Sequence, residues 1–167
     1  MSKIVVIMGV SGCGKSTIGE LLAERSGGAY FDGDDFHPPE NVEKMRAGIP
    51  LKDDDRVGWM KALGDLIIER KAADAWTFIA CSALRRQFRD GLREVDPQLR
   101  FLFLKGDFDL VHGRLAQREG HYMPSSLLQS QYDALEEPED DEELLDIVGI
   151  EDEPDAITAA AAELLFG

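Results

Sequence analysis

Three groups of residues have the types and spacing that chemistry needs. The first is Gly9-Val10-Ser11-Gly12-Cys13-Gly14-Lys15-Ser16, which fits the phosphate-loop pattern G-x-x-x-x-G-K-[ST] at every fixed position. Glycines let such a loop pass close to phosphates, while its N–H groups and a helix N-terminus face the negative charge. Lys15 can then reach the β and γ phosphates, and the Ser16 hydroxyl can bind Mg²⁺. The pattern points to a nucleoside triphosphate and leaves the phosphoryl acceptor open. The second group is Asp32-Gly33-Asp34-Asp35-Phe36-His37. If a strand pleat persists there, Asp32 and Asp34 point the same way. One carboxylate would hold Mg²⁺, directly or through water, and the other would accept a hydrogen bond or a proton from an attacking hydroxyl. The plain alternative is an aspartate-rich turn; a phosphate loop in the same chain favours function. No aspartate closes the third expected strand, which makes Asp32 the candidate for the metal. The third group is Arg114 and Arg118, which could fold over a triphosphate or form a solvated basic helix face. His37, His121 and the Arg85-Arg86 pair are ambiguous on their own, and Trp59 reads as core.

These residues need elements to position them. Ile4-Val5-Val6-Ile7-Met8 reads as a buried parallel strand. A helix follows the phosphate loop, with Ile18, Leu21 and Leu22 at helical spacing, and ends near Gly27-Gly28. Ala29-Tyr30-Phe31 reads as a second strand, delivering Asp32 to the sequence region where it would lie beside the first. Pro38-Pro39 starts a short helix closed by Gly48. Residues 51–56 lead into a helix with Val57, Met60, Leu63 and Ile67 on one face. Residues 76–80 form a third strand, 85–95 a helix and 100–105 a fourth strand. Asp107 caps a helix carrying Phe108, Val111 and Leu115. Ser126 and Gln129 form a capping box for a helix carrying Leu128, Tyr132 and Leu135. Residues 136–143, almost all acidic, read as a solvated loop. Residues 145–150 form the last strand, and 154–166 a closing helix. Alternating strands and helices predict an α/β layer fold with a parallel sheet and ligands at the strands' carboxyl ends.

The 167 residues suit one domain spanning 1–167, and 44% hydrophobic content suits a packed core. A formal net charge of −15 argues against nucleic acid or an anionic membrane as partner. Cys13 and Cys81 make neither a C-x-x-C pair nor a zinc pattern, and the expected setting is reducing and cytoplasmic. The first apolar run is too short to span a membrane. Asp55-Arg56-Val57-Gly58 matches the D-x-x-G of GTPases, but no N-K-x-D guanine reader occurs in the chain.

In combination, further pieces resemble the small gluconokinases, P-loop kinases akin to shikimate and adenylate kinases. They are G-V-S-G-C-G-K-S-T (9–17), D-G-D-D-F-H-P (32–38) and N-V-E-K-M-R-A-G-I-P-L-K-D-D-D-R (41–56). C-S-A-L-R-R-Q-F-R-D (81–90), L-K-G-D-F-D (104–109), R-E-G-H-Y-M (118–123) and L-L-Q-S-Q-Y-D-A-L-E-E-P (127–138) follow in order. The pieces at 41–56 and 118–138 favour this family over shikimate or nucleoside monophosphate kinases. The resemblance implies a P-loop kinase fold, a parallel sheet of about five strands flanked by helices, with a helical lid at about 114–136. It implies phosphorylation of D-gluconate at its terminal hydroxyl by ATP and Mg²⁺, and often a homodimer. Carried over by position, Gly12 to Thr17 (Gly12, Cys13, Gly14, Lys15, Ser16, Thr17) bind the triphosphate, and Gly9 and Ser11 of the same loop are candidates beside them. Lys15, Asp34 and Arg118 are then catalytic, and Ser16 and Asp32 meet the metal. Asp34, His37, Arg56, Arg85, His121 and Gln131 are the candidate sugar-acid contacts. The family usually shows Pro where Gly58 stands, Tyr for Phe88, Phe for Tyr122, and lysines for Arg85 and Arg86.

Overall fold

Five short apolar runs build one parallel sheet, in the order β2-β3-β1-β4-β5. The computed structural model of the chain describes residues 2–117 and 125–167. Its strands are β1 (Ile4–Met8), β2 (Ala29–Asp32), β3 (Thr77–Ala80), β4 (Arg100–Lys105) and β5 (Leu145–Gly149). β1 is central and every one of its residues is buried, because helices cover both faces of the sheet. On one face Val5 and Ile7 pack with Ile18 and Leu22 of α1 (Lys15–Ser26), Val111 and Leu115 of α5 (Phe108–Gln117), and Ala161 and Leu165 of α7 (Pro154–Phe166). On the other, Ile4, Val6 and Met8 pack with Trp59, Leu63 and Ile67 of α3 (Val57–Ala73) and Leu92 of α4 (Arg86–Val95). The remaining helices are α2 (Pro39–Arg46) and α6 (Ser125–Ala134). From β1 the chain runs to β2 and β3 on one side and to β4 and β5 on the other. The crevice beyond the end of β1 is therefore a topological switch point, where α/β sheets bind ligands.

Four expectations are corrected. β2 does not lie beside β1, because β3 pairs with both and separates them. Val57 is 67% exposed, and α3 instead buries Trp59, Leu63, Leu66 and Ile67. Ser126 lies inside α6, which begins at Ser125, and Gln129 donates forward to Asp133 Oδ1 at 2.9 Å, so the two form no capping box.

The acidic stretch is not simply a solvated loop. Glu142 is buried against Arg89, a fully buried guanidinium that meets both its carboxylate oxygens, Nε to Oε1 at 2.7 Å and Nη2 to Oε2 at 2.8 Å. Arg93 approaches Oε1 at 2.9 Å. The same Arg89 donates to the carbonyls of Ala83, Leu84 and Glu136. Removing one partner of a buried pair strands the other charge. Glu142→Ala is accordingly expected to cost about 3–5 kcal/mol of stability, read by denaturant unfolding; a loss below about 1 kcal/mol would contradict it. Burial alone would raise the Glu142 pKa, but hydrogen bonds from Arg89 and Arg93 outweigh it and hold the carboxyl below its usual range. This contribution is present above the unfolded carboxyl's pKa and lost as pH falls through the lower folded value.

Candidate active site

The phosphate loop leaves β1 and turns directly into α1. Gly14 is the N-cap of that helix with φ 102°, a left-handed conformation costly for other residues. Gly12 has φ 83°, and a Cβ there would lie 2.6 Å from Leu115 Cγ, so α5 packs directly against the loop. α1 has no side-chain cap and no acidic residue in its first turn. The positive end of a twelve-residue helix is thus left uncompensated by side chains, as an anion site requires. These residues fit a triphosphate: the first-turn amides and Lys15 supply the positive potential, and Ser16, an exposed residue, lies in the helix's first turn. Lys15 Nζ donates to the carbonyls of Gly9 at 2.9 Å and Val10 at 3.0 Å, which folds it across the loop. Cys13, buried inside the loop, has its thiol pKa pushed up by burial despite the opposing pull of Lys15.

β3 joins this loop to the acidic turn. Gly9 N–H donates to Ser82 O at 3.2 Å, just past the end of β3, and Asp32 pairs with Ala80 at the end of β2. The charges of Asp34, Lys15 and Asp32 are all felt at the buried Cys81 thiol, which burial pushes up to about 12. The sequence-predicted carboxylates and lysine are therefore brought together. The pleat, however, does not persist. Residues Gly33–Phe36 close into a 3₁₀ turn, and Asp32 Oδ1 accepts the Asp34 N–H at 3.0 Å. Asp32 acts as the cap of that turn, and Asp34 projects from it with its side chain 78% exposed. Although the side chain is exposed at its tip, the protein packed around the base of the turn desolvates it in part and, with the neighbouring Asp32 charge, raises the Asp34 pKa against the pull of His37 and Lys15. Among the described residues no group of three or more His, Cys, Asp or Glu side chains is placed to hold a metal ion. A metal here would rely on phosphate oxygens together with Ser16 and Asp32.

α2 and the segment before α3 form the wall beside Asp34. His37 stacks on Trp59 with centroids 4.2 Å apart, and Trp59 Nε1 donates to Gly33 O at 2.8 Å. Trp59 is therefore core, as its type suggests, and also the floor that orients the acidic turn. Arg56 is exposed and close enough to lower the His37 pKa, alongside the larger effect of burial. Arg85 is exposed at the N-cap of α4, whereas Arg86 is held by Asp141 at 2.8 Å.

On the opposite side α6 is tied to the phosphate loop. Gln131 Oε1 accepts the Ser11 N–H at 2.7 Å and its Nε2 donates to Ser11 Oγ at 2.8 Å. Both polar atoms of the Gln131 amide are taken by Ser11, so here it braces the loop. Arg114 donates to Asp152 O at 3.3 Å. Arg118 and His121, and with them the middle of the expected lid, lie outside the described residues. Sequence reasoning missed Asn41, Arg89 and Glu142. The first links His37 to the segment before α3. The other two clamp residues 83–84 to the segment following α6. Glu142 was hidden in an acidic run, whose composition alone reads as solvent-facing.

A family model described as shikimate kinase matches residues 11–139. The thermoresistant gluconokinase of Escherichia coli (strain K12) is 41% identical over 162 residues, covering 97% of this chain and 93% of that protein. The crystal structure of a gluconokinase from Sinorhizobium meliloti 1021 superimposes with a TM-score of 0.81 at 44% identity, covering 97% of this chain and 94% of that one. An APS kinase from Mycobacterium tuberculosis shares the fold, with a TM-score of 0.73 at 16% identity. Five parallel strands flanked by helices, a phosphate loop at the switch point and an acidic turn beside it are thus set in a sequence shared along nearly its whole length: the chain belongs to the gluconokinase family of shikimate-kinase-like P-loop kinases.

Proposed function

We propose that the protein transfers the γ-phosphoryl group of ATP to the terminal hydroxyl of D-gluconate, giving 6-phospho-D-gluconate. The observation that carries this reading is the acidic turn joined to the phosphate loop through the end of β3, in a chain 41% identical to a gluconokinase over 97% of its length. Gly9 and residues Ser11 to Thr17 bind the triphosphate. Mg²⁺, held by Ser16 and by Asp32 directly or through water, neutralises charge on the phosphates when bound. Lys15 stabilises charge developing on the transferring group. Asp34 orients the acceptor hydroxyl and accepts its proton. Gluconate carries one carboxylate and several hydroxyls, and the exposed cations Arg56 and Arg85 and the donor His37 suit such a ligand. Arg118 and His121 complete the reading from the lid side, Arg118 acting on the transferring group. Two free, buried cysteines fit a reducing cytoplasmic setting.

The test is ATP turnover by the full chain across gluconate, shikimate, nucleoside monophosphates and other sugar acids. Gluconate is expected to give the highest kcat/KM, with hydrolysis slow when no acceptor is added. Faster turnover of shikimate or a nucleoside monophosphate would overturn the substrate. Acceptor-independent hydrolysis at the full rate would overturn the kinase reading itself.

A further inference from the structure

The acceptor side of the site contains a buried amide whose orientation is forced by its surroundings. Asn41 is 3% exposed, and its Nδ2 lies 2.7 Å from the backbone carbonyl of Asp55. A carbonyl can only accept, so the amide nitrogen must face it. That segment is itself anchored: Lys44 Nζ meets Asp55 Oδ1 at 2.6 Å and the Lys52 N–H donates to Asp55 Oδ2 at 2.9 Å. The same Nδ2 lies 3.2 Å from His37 Nδ1. With the nitrogen forced by Asp55, its second hydrogen points at the ring, and His37 Nδ1 must then be the unprotonated acceptor. The ring proton is left on Nε2.

We infer that Asn41 is a positioning residue that locks His37 in its Nε2–H tautomer, so that the imidazole presents a donor beside the Asp34 carboxylate. His37 Nε2 and Asp34 Oδ1 stand 3.9 Å apart, and the imidazole is 5% exposed and held flat on Trp59. At hydrogen bonds of about 2.8 Å one hydroxyl oxygen can reach both groups, donating to Asp34 and accepting from His37. That pairing reads a hydroxyl and aligns it, because a hydroxyl both donates and accepts through one atom. Protonating Nδ1 would set two donors face to face, so the ring stays neutral. The lowering of the His37 pKa by burial and by Arg56, against Asp34, agrees with this. The role assigned to the hydroxyl rests on the sugar-acid kinase reading above, whereas the tautomer does not.

The test is the long-range ¹H–¹⁵N spectrum of the full chain labelled at histidine, near neutral pH. Three histidines are present, and His37→Gln assigns the signal. The expected spectrum has an unprotonated Nδ1 and a protonated Nε2 at His37; a protonated Nδ1 overturns the inference without any mutant. Asn41→Asp replaces the donor with an acceptor and is expected to move the proton to Nδ1. Turnover with gluconate should then fall about tenfold or more, while the KM for ATP changes less than about twofold. A proton still on Nε2 alone in that variant, or unchanged turnover with a shifted proton, also overturns the role. If the wild-type tautomer is as stated but gluconate is no acceptor, the substrate assignment fails and the lock stands.

Discussion

Lys15→Met is expected to lower turnover about a hundredfold or more while leaving the fold in place. The side chain keeps most of its length and loses its charge. A hundredfold corresponds to about 2.7 kcal/mol of transition-state stabilisation, the scale of one preorganised charge-bearing donor in a site shielded from water. Lys15 also bonds the carbonyls of Gly9 and Val10, so some loosening of the loop accompanies the loss. Those bonds are made by a half-buried side chain and are worth about 1–3 kcal/mol together, too little to unfold a domain of this size. Circular dichroism and a thermal melt check the fold next to the steady-state rates. Near-normal activity in a folded Lys15→Met protein would count against the whole mechanism.

Asp34 carries the second large effect, and here the magnitude separates two roles. A phosphoryl-transfer transition state is loose, so the hydroxyl need not lose its proton early. A base then contributes about a hundredfold, and orientation of the hydroxyl adds to that. Asp34→Asn keeps the size and one acceptor oxygen but cannot take a proton. Asp34→Ala loses both. With Asp34 positioning and deprotonating, Asn is severely impaired, Ala at least as much, and ATP·Mg²⁺ still binds through the phosphate loop. An Asn variant keeping most of its turnover would restrict Asp34 to positioning. The geometry favours this division of roles over the reverse. Asp32 is engaged in capping the turn, while Asp34 projects from it beside His37. Loss of ATP·Mg²⁺ binding in both variants, measured by titration, would show that Asp34 rather than Asp32 serves the metal.

Much of the fold is legible because its signals are local. The phosphate loop is eight contiguous residues, and its helix ends at Gly27 with φ 70°, where the sequence places a glycine cap. β4 and α7 have the bounds their patterns predict, since each is a run of one period between turn signals. The candidate site is less legible. The pleat argument for Asp32 and Asp34 fails because Asp32 can bond the backbone two residues on, which favours a tight turn over continued strand. Val57 looks like core by spacing but is the first residue of α3 and stays exposed, while Trp59, two positions on, turns into the core.

What the sequence alone determined is the phosphate-loop motif, the alternation of strands and helices, and the carboxylates at the end of β2. Each depends on residues within a few positions of one another. Tertiary structure decided the strand order, which inserts β3 between β2 and β1 and so sets the acidic turn beside the phosphate loop. It also decided the pairing of Gln131 with Ser11, 120 residues apart, and of Arg89 with Glu142, 53 apart. Residue type announces neither pair, because an arginine or a glutamate reads as surface until packing removes it from water. Once buried, each needs a partner, and the fold supplies one from a distant segment.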